Sequence, residues 1–447
     1  MRGTVRVLGV LLTMGLATTA SAQGLPIGSE FQINTYTSNG QYSPRVAKDA
    51  AGNFVVVWYS SHQEGDNNGV FGQRFSSSGA RLGTEFQVNT YTTNNQSYPA
   101  VASDAAGDFV VVWQSDQDGS GRGIFGQRFD SAGAPLGTEF QVNTYTTSGQ
   151  DYPMVASDAA GNFLVVWQSF QDGDGEGVFG QRYDSTGNTV GTEFQVNAYT
   201  SGNQGFPVVA IGPTGSFVVI WADSEQDSGL GVFGRRFSST GTPLGTDFQV
   251  NTYTTGNRQY PTLASDAAGN FVVAWQSYGQ DGDSDGVFGQ RFSSNGAAVG
   301  TEFQVNSYTT GRQKYPGVAA DADGNFVVVW ESRNQDGDDY GVFGQRFSNT
   351  GSRLGTEFQV NTYTTSFQGG FPIGVADAAG GFVVVWASDT EDGSREGIFG
   401  QRFSAAPAPR PVPALGPLSL TVLMLGLLVL GAGALLRRRA TRNVDRA

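Results

Sequence analysis

The 447-residue sequence has no cysteine and one histidine, His62, and only 15% of its residues are charged. The absence of cysteine excludes disulfide bonds and thiolate chemistry, and a single histidine excludes a pair of histidine metal ligands. His62 lies in a polar loop and has no counterpart elsewhere in the chain, so we interpret it as a surface residue and not as a general base. The sequence therefore predicts a protein that is not an enzyme.

Glycine and aromatic residues are abundant, with 64 glycines and 12% aromatics. This composition is typical of an all-β protein with many tight turns. The net charge is −14, and because many arginines lie near the two ends, the region between them is more acidic than the whole chain. Such a surface repels phosphate backbones, so we expect no nucleic-acid partner.

The N-terminus has the layout of a secretory signal peptide over residues 1–22. Arg2 and Arg6 precede an apolar run over 7–16, and the small residues Ala20, Ser21 and Ala22 follow. This order of charged, apolar and small residues predicts export and cleavage after Ala22.

The C-terminus has three parts: a proline-rich spacer over 406–417, an apolar segment over 418–436, and a basic tail over 437–447. A helix over the apolar segment spans about 28 Å, close to the hydrocarbon thickness of a bilayer. The arginines at 437–439 are expected to stay cytoplasmic, so the chain before the segment would be exported. These features predict a transmembrane helix over 418–436.

The motif "VPALGPLS" (412–419), followed by one helix and a basic cluster, resembles the C-terminal sorting signals of exported bacterial proteins. It is similar to the Ile-Pro-Thr-Leu type and lacks the glutamate of the Pro-Glu-Pro type. The resemblance implies transient anchoring in the inner membrane, followed by cleavage and transfer to the envelope or surface. A permanent single-pass anchor is the alternative.

Between these ends the chain consists of seven repeats. Tryptophan occurs only at 58, 113, 167, 221, 275, 330 and 386, at spacings of 54 to 56 residues. Each repeat has four β-like runs separated by turn signals, which we name A to D and define on the second repeat: run A over 99–104, run B over 109–115, run C over 123–129 and run D over 138–143. Run B is apolar on both faces and therefore predicted to be buried, whereas run D alternates in polarity as a half-exposed strand does.

Four strands in about 54 residues match one blade of a β-propeller. Sandwich domains of about 100 residues fit less well, and a β-solenoid, which usually has shorter coils, stays an alternative. The last repeat stops after run C at residue 405, whereas residues 27–37 form a run D with no A, B or C before it. We therefore predict a closed, seven-bladed β-propeller of four-stranded blades over 25–405, in which the N-terminal strand completes the last blade and removes the free edges.

Antiparallel strands place the B–C and D–A loops on one face of the ring and the A–B and C–D turns on the other. The first face, which we call the loop face, gathers Thr, Asn, Gln, Tyr and carboxylates that would suit hydrogen bonding and stacking with sugars. Its binding candidates are Tyr98, Asn95, Gln96, Tyr152, Gln150 and Tyr260. A face that is merely solvated is the alternative.

One of the acidic B–C loops, in repeat five, fits the first half of the calcium-loop pattern D-x-[DN]-x-[DN]-G, in which alternate carboxylates converge on a cation, and the loop of repeat three nearly fits it. The candidate ligands are Asp281, Asp283 and Asp285 in repeat five, and Asp172, Asp174 and Glu176 in repeat three. The last ligand position of an EF-hand falls on Tyr183 and Phe292, so a site would need the adjacent D–A loop or water. "DGDSDG" is similar to integrin-type calcium-loop repeats, and seven-bladed propellers also include lectins. The other five loops fit the pattern less well and are interpreted as hairpin turns.

Each run C carries an arginine, and each run B a tryptophan, in every repeat. We interpret the tryptophans as core and the arginines as structural, for example Arg128 paired with Glu139 across neighbouring strands. Seven identical copies suit a structural role, because an active site needs asymmetry.

Together these features predict a non-enzymatic, exported propeller that binds or scaffolds at the cell envelope, with a glycan or a surface protein as partner and calcium as a candidate cofactor. The alternatives are a glycoside-processing hydrolase that uses two loop carboxylates, and a structural surface or matrix component.

Overall fold

The computed structural model of the protein describes residues 24–65 and 67–405. In this part of the chain, 28 strands form seven four-stranded antiparallel sheets, each in the order A-B-C-D. The fold is therefore the predicted all-β, seven-bladed propeller. The signal peptide and the C-terminal spacer, helix and tail lie outside the described residues. Within the described ranges, no helix has the length and apolar character needed to cross a membrane.

The blades are numbered 1 to 7 in the order of their A strands. The A strands are Gln41–Lys48, Gln96–Ser103, Gln150–Ser157, Gln204–Ile211, Arg258–Ser265, Gln313–Ala320 and Gln368–Ala376. The B strands are Phe54–Ser61, Phe109–Ser115, Phe163–Ser169, Phe217–Asp227, Phe271–Tyr278, Phe326–Arg333 and Phe382–Ser388. The C strands are Asn68–Phe75, Gly123–Phe129, Gly177–Tyr183, Gly229–Phe237, Asp285–Phe292, Tyr340–Phe347 and Gly397–Phe403. The D strands of blades 1 to 6 are Arg81–Gln87, Pro135–Gln141, Thr189–Gln195, Phe248–Gln249, Ala298–Gln304 and Arg353–Gln359, and that of blade 7 is Pro26–Gln32. Two 3₁₀ turns, Asp116–Asp118 and Phe170–Asp172, follow the B strands of blades 2 and 3.

The hydrophobic core lies between neighbouring blades. Trp113 of blade 2, for example, shares one cluster with Val55, Val57 and Val70 of blade 1. All seven tryptophans have 0% exposed surface. Since a B strand is second in its sheet and packs against a blade on either side, both of its faces must be apolar. The predicted core role of the tryptophans is confirmed.

The ring closes through the first strand. Pro26–Gln32 pairs with Gly397–Phe403, so the last blade combines three C-terminal strands with the N-terminal one. The N–H of Ile33 donates to the carbonyl of Ile398 at 2.7 Å, and the Asn34 side-chain oxygen accepts the N–H of Ile398 at 2.7 Å. Ile33 is itself fully buried. The closure predicted from the offset between the chain ends is confirmed.

The run C arginines link blades, and the predicted pair of Arg128 with Glu139 is wrong. Arg128 donates to the carbonyls of Ser185 and Thr186, in the C–D turn of the next blade, at 2.5 Å each. Glu139 instead accepts from the backbone N–H and hydroxyl of Thr90, in the preceding blade, at 2.7 and 2.8 Å. The structural role stands, but both side chains reach beyond their own sheet, which strand periodicity alone does not reveal.

One acid pair distinguishes the closing blade. In blade 2, Gln117 donates to Glu139 at 2.9 Å, and in blade 3 the corresponding glutamine makes the same contact. Blade 7 has Glu391 at this position, facing Glu30 of the first strand. Burial, together with the neighbouring Glu30 charge, raises the pKa of Glu391 from 4.5 to about 7. A carboxyl with a raised pKa keeps a proton that the unfolded chain has lost, so its stabilising contribution is full below pH 4.5 and disappears as the pH rises to about 7.

Glu391→Gln is therefore expected to raise the melting temperature at pH 8, because it restores the amide–carboxylate contact of the other blades. The gain should shrink as the pH falls to 5, where Glu391 is protonated in the folded protein. Thermal melts at both pH values check this. The reciprocal variant Gln117→Glu places a second acid beside Glu139 and should lose stability at pH 8. An equal effect of Glu391→Gln at pH 5 and pH 8 would contradict the expected titration.

Candidate binding site on the ring axis

Six of the seven A strands have an aromatic residue followed by proline at their third and fourth residues, or, in blade 7, one position later. These residues are Tyr98, Tyr152, Phe206, Tyr260, Tyr315 and Phe371, and we call them the aromatic arc. Their backbone φ angles lie between 50° and 65°, a left-handed conformation that costs a bulky residue about 1–3 kcal/mol. The pairing with strand B is interrupted there, for instance between Ser97 and Ala100. The interruption displaces the aromatic residue and the proline from the regular ladder.

The preceding blade holds this strained backbone in place. The side-chain oxygen of Gln114, directly after the blade 2 tryptophan, accepts the N–H of Tyr152 at 3.2 Å. Gln168 and Gln276 accept the corresponding N–H groups of Phe206 and Tyr315 at 3.0 and 3.2 Å. In blade 6 a glutamate replaces the glutamine and accepts the N–H of Phe371 at 3.2 Å. In four of the six blades the strained backbone is thus held by a contact between blades, as expected at a site that must keep one geometry.

The arc is continuous. Successive ring centroids from blade 2 to blade 7 lie 5.0, 4.9, 4.9, 4.7 and 4.3 Å apart. The rings, with the prolines that follow them and apolar neighbours such as Met154 and Ile373, line a cavity of about 260 Å³, which we call the axial cavity. All seven blades contribute strand A residues to this one space, because strand A is the innermost strand of each blade. The cavity offers aromatic faces to a ligand from several directions.

Blade 1 breaks this pattern. It has Ser43 where the other blades have a ring, with a φ of 51°, and two residues later Arg45 lines the axial cavity. The guanidinium of Arg45 donates to the carbonyl of Pro44 at 2.9 Å. Within the described ranges it forms no ion pair with a carboxylate. Burial lowers the pKa of Arg45 to about 10, so the side chain still carries its charge at neutral pH.

Three of the predicted binding residues, Tyr98, Tyr152 and Tyr260, meet in this cavity. The interpretation of Gln96 and Gln150 as ligand contacts is wrong, because both side chains have 0% exposed surface. Each donates to carbonyls of its own D–A loop and supports that loop from within. Asn95 lies exposed on the loop face, where its side-chain oxygen accepts the Asn68 N–H at 3.4 Å.

The arrangement of loops predicted for the two faces is confirmed. The carbonyl of Arg122, in a B–C loop, accepts the N–H of Gln150 at the end of a D–A loop at 2.7 Å. On the opposite face, Asp108 of an A–B turn accepts the N–H of Ser131 of a C–D turn at 2.8 Å.

The acids of the repeat five loop bind three different protein groups. Asp281 accepts from Asn306 at 3.2 Å, and Asp283 accepts the backbone N–H of Gly311 at 2.7 Å. Asp285 forms an ion pair with Arg312 at 3.6 Å; burial raises its pKa, which the Arg312 charge partly offsets.

The repeat three loop is similar. Asp172 accepts from Gln195 at 3.4 Å and Glu176 from Gln168 at 2.8 Å, while Asp174 donates its backbone N–H to Asp172 at 3.4 Å. Burial raises the pKa of both Asp172 and Glu176. Across the described ranges, no three acidic or histidine side chains gather closely enough to hold a metal ion. Calcium binding at these loops stays a prediction, and it would require side chains to leave their protein partners.

Sequence reasoning did not find Arg45, Phe206, Tyr315 or Phe371. These residues could have been found from the aromatic–proline pair that recurs in six of the A runs, and from its replacement by "YSPR" in the first repeat. The small residues of run A indicated the crowded axis, but not which side chains turn towards it.

No protein-family model and no curated protein matches this sequence. Among solved structures, it is similar to a protein of unknown function from Dyadobacter fermentans, at 11% identity and a TM-score of 0.51, over 84% of this chain and 97% of that one. An alpha-L-arabinanase from Penicillium chrysogenum complexed with arabinobiose gives 13% identity and a TM-score of 0.46, over 70% and 94% of the two chains. The propeller domain of the Trilobed protease from Pyrococcus furiosus gives 7% and 0.48, over 85% and 99%. At these identities the likeness shows the fold alone.

Proposed function

We propose that this chain is a non-enzymatic binding propeller, exported to the bacterial cell envelope, that recognises a glycan through the axial cavity. The observation that carries the proposal is the convergence of six aromatic rings on one cavity, four of them held in strained backbone by a side chain of the preceding blade. Sugar rings present apolar faces that stack on aromatic side chains, and hydroxyls that bind the polar groups of the adjacent loop face. Aromatic, proline and apolar residues form most of the cavity lining, and such a lining suits binding of a ligand more than catalysis.

The proposal includes the cellular location of the protein. The signal peptide and the C-terminal sorting signal would deliver the propeller across the inner membrane, with the apolar segment as a transient anchor. At the envelope its partner would be a glycan or a glycan-bearing surface protein. Calcium at the repeat three and repeat five loops would stabilise the loop face around the cavity.

The test is retention of the purified protein on polysaccharides, glycan arrays and whole cells, in calcium and in chelator. We expect selective retention that falls about tenfold in Tyr152→Ser, since each 1.4 kcal/mol of lost contact is one factor of ten. Serine is a matched replacement because blade 1 already has Ser43 in this conformation. Tyr152→Phe, which copies blade 4, should retain binding.

Three outcomes would contradict the proposal. Absence of selective retention would remove glycan recognition and favour the structural, self-assembling alternative. Equal retention of Tyr152→Ser and the wild type would place binding outside the axial cavity. Release of reducing sugar from a retained polysaccharide would identify the hydrolase alternative, which needs two carboxyl groups about 5–9.5 Å apart.

A further inference from the structure

We propose that the axial cavity is selective for an acidic sugar, and that Arg45 binds the carboxylate of a uronic acid residue while the aromatic arc stacks on its ring. This inference rests on the proposed glycan-binding function and names the chemical class of its ligand.

Arg45 occupies a position of the repeat at which no other blade has a charged residue. The aligned positions of the other blades are small or apolar: Ala100, Met154, Val208, Thr262, Gly317 and Ile373. Six blades therefore fold without a charge here, and the fold does not require one. Arg45 is half-buried and forms no ion pair within the described ranges, and a partly desolvated charge without an opposite charge lowers stability. Residues that weaken a fold in this way are typical of sites at which the ligand supplies the missing partner.

The blade that has Arg45 is also the one blade that lacks a ring in the aromatic arc. Ser43 removes the one ring that would complete the aromatic arc, and it does so in the blade that has Arg45. On one side of the gap stands Tyr98, whose ring meets Tyr59 at 5.7 Å, and on the other stands Phe371. The two departures from sevenfold symmetry thus fall in the same blade, so the aromatic arc is interrupted in the blade whose Arg45 lines the cavity.

The charge and the volume of the axial cavity match a ligand with a single carboxylate. The guanidinium is a planar fork that binds a carboxylate through two parallel hydrogen bonds. The cavity lining provides one cation, Arg45, and the protein as a whole has a charge of −14, which disfavours polyanions. A volume of about 260 Å³ lies just below the range of small-molecule sites, about 300 to 1,000 Å³, so the cavity suits one sugar unit and not a longer chain.

The experiment is calorimetric titration of the purified exported protein with D-galacturonic acid and D-glucuronic acid. Their neutral methyl esters, D-galactose and inorganic phosphate are titrated separately. We expect at least one free acid to bind about tenfold or more tightly than its ester, and phosphate to bind more weakly than that acid. In Arg45→Met, which copies Met154 of blade 3, acid and ester should bind alike. Arg45→Lys should retain part of the preference.

A control variant and a stability measurement separate ligand binding from structure. Arg353→Thr, which copies Thr189 of blade 3, removes one positive charge at the outer edge and should leave the preference unchanged. Arg45→Met should also melt at a higher temperature than the wild type, because an unpaired charge is replaced by an apolar side chain. A lower melting temperature would indicate a structural arginine and contradict the inference.

The other results of the titrations would distinguish failure of this inference from failure of the proposed function. Equal affinity for acid and ester in the wild type, or a preference that survives Arg45→Met, would overturn the inference while leaving glycan binding intact. Phosphate that binds as tightly as the free acid would overturn it in favour of a general anion site. If neither acidic nor neutral saccharides bind, the proposed function itself fails.

Discussion

Deletion of residues 26–34 is expected to abolish cooperative folding of the ring or to lower its melting temperature by more than any single substitution. The deletion removes the whole D strand of blade 7 and the fully buried Ile33. Loss of a buried isoleucine side chain alone costs about 2–5 kcal/mol. The C strand Gly397–Phe403 would also become a free edge with unpaired backbone groups, which promotes aggregation. Thermal melts and size-exclusion chromatography measure both effects.

The same strand moved to the other end of the repeats provides the control. Residues 26–34 inserted after Ala405, through the C–D turn of blade 6 (348–352) as a linker, should restore the melting temperature and the monomeric elution of the wild type. The strand would then occupy its place through a hairpin, as in blades 1 to 6. A deletion variant that melts like the wild type would contradict closure by the first strand.

Replacement of a tryptophan by alanine is expected to cost about 3–5 kcal/mol at any position in the ring. Trp58→Ala and Trp386→Ala, in the first and last blades, should destabilise the protein by as much as Trp221→Ala in the middle. All three side chains are fully buried between two blades, since a closed ring has no terminal repeat. Denaturant unfolding monitored by circular dichroism gives the three free energies.

Trp→Phe at the same three positions is the matched control, with smaller losses because most of the ring volume is kept. In an open array the end repeats fray, since each contacts one neighbour instead of two. Clearly smaller losses at Trp58 and Trp386 than at Trp221 would therefore contradict a closed, uniformly packed ring.

The fold could be predicted from the sequence because the features that define it recur at regular intervals along the chain. The tryptophan spacing defined the repeat, the apolar B runs located the buried strands, and the unmatched run D at residues 27–37 indicated how the ring closes. These patterns depend on burial, which acts alike in all seven copies.

The site was only partly predictable, because its geometry depends on contacts between blades. Tyr98 and Tyr152 were found as polar-loop residues, but their direction follows from a left-handed φ and an interruption in strand pairing that no pattern of alternation encodes. Gln96 looked like a loop donor and is buried, because a loop crossing the ring needs internal hydrogen bonds. In the sequence, Arg45 is one irregular residue in a repeat. Only the closed ring shows that it lines the same cavity as the aromatic residues of the other six blades.

Closure through the first strand also sets an order of events. The blade with Arg45 lies beside blade 7, and the seam between them includes an ion pair of Lys48 with Asp377 at 3.3 Å. Blade 7 is complete only when the earliest-synthesised strand has paired with the C strand Gly397–Phe403, near the end of the repeats. A nascent or truncated chain therefore cannot present the two sides of the gap beside Arg45 in their final positions. Under the proposed function, binding of the glycan would therefore require that the whole ring has been synthesised and closed.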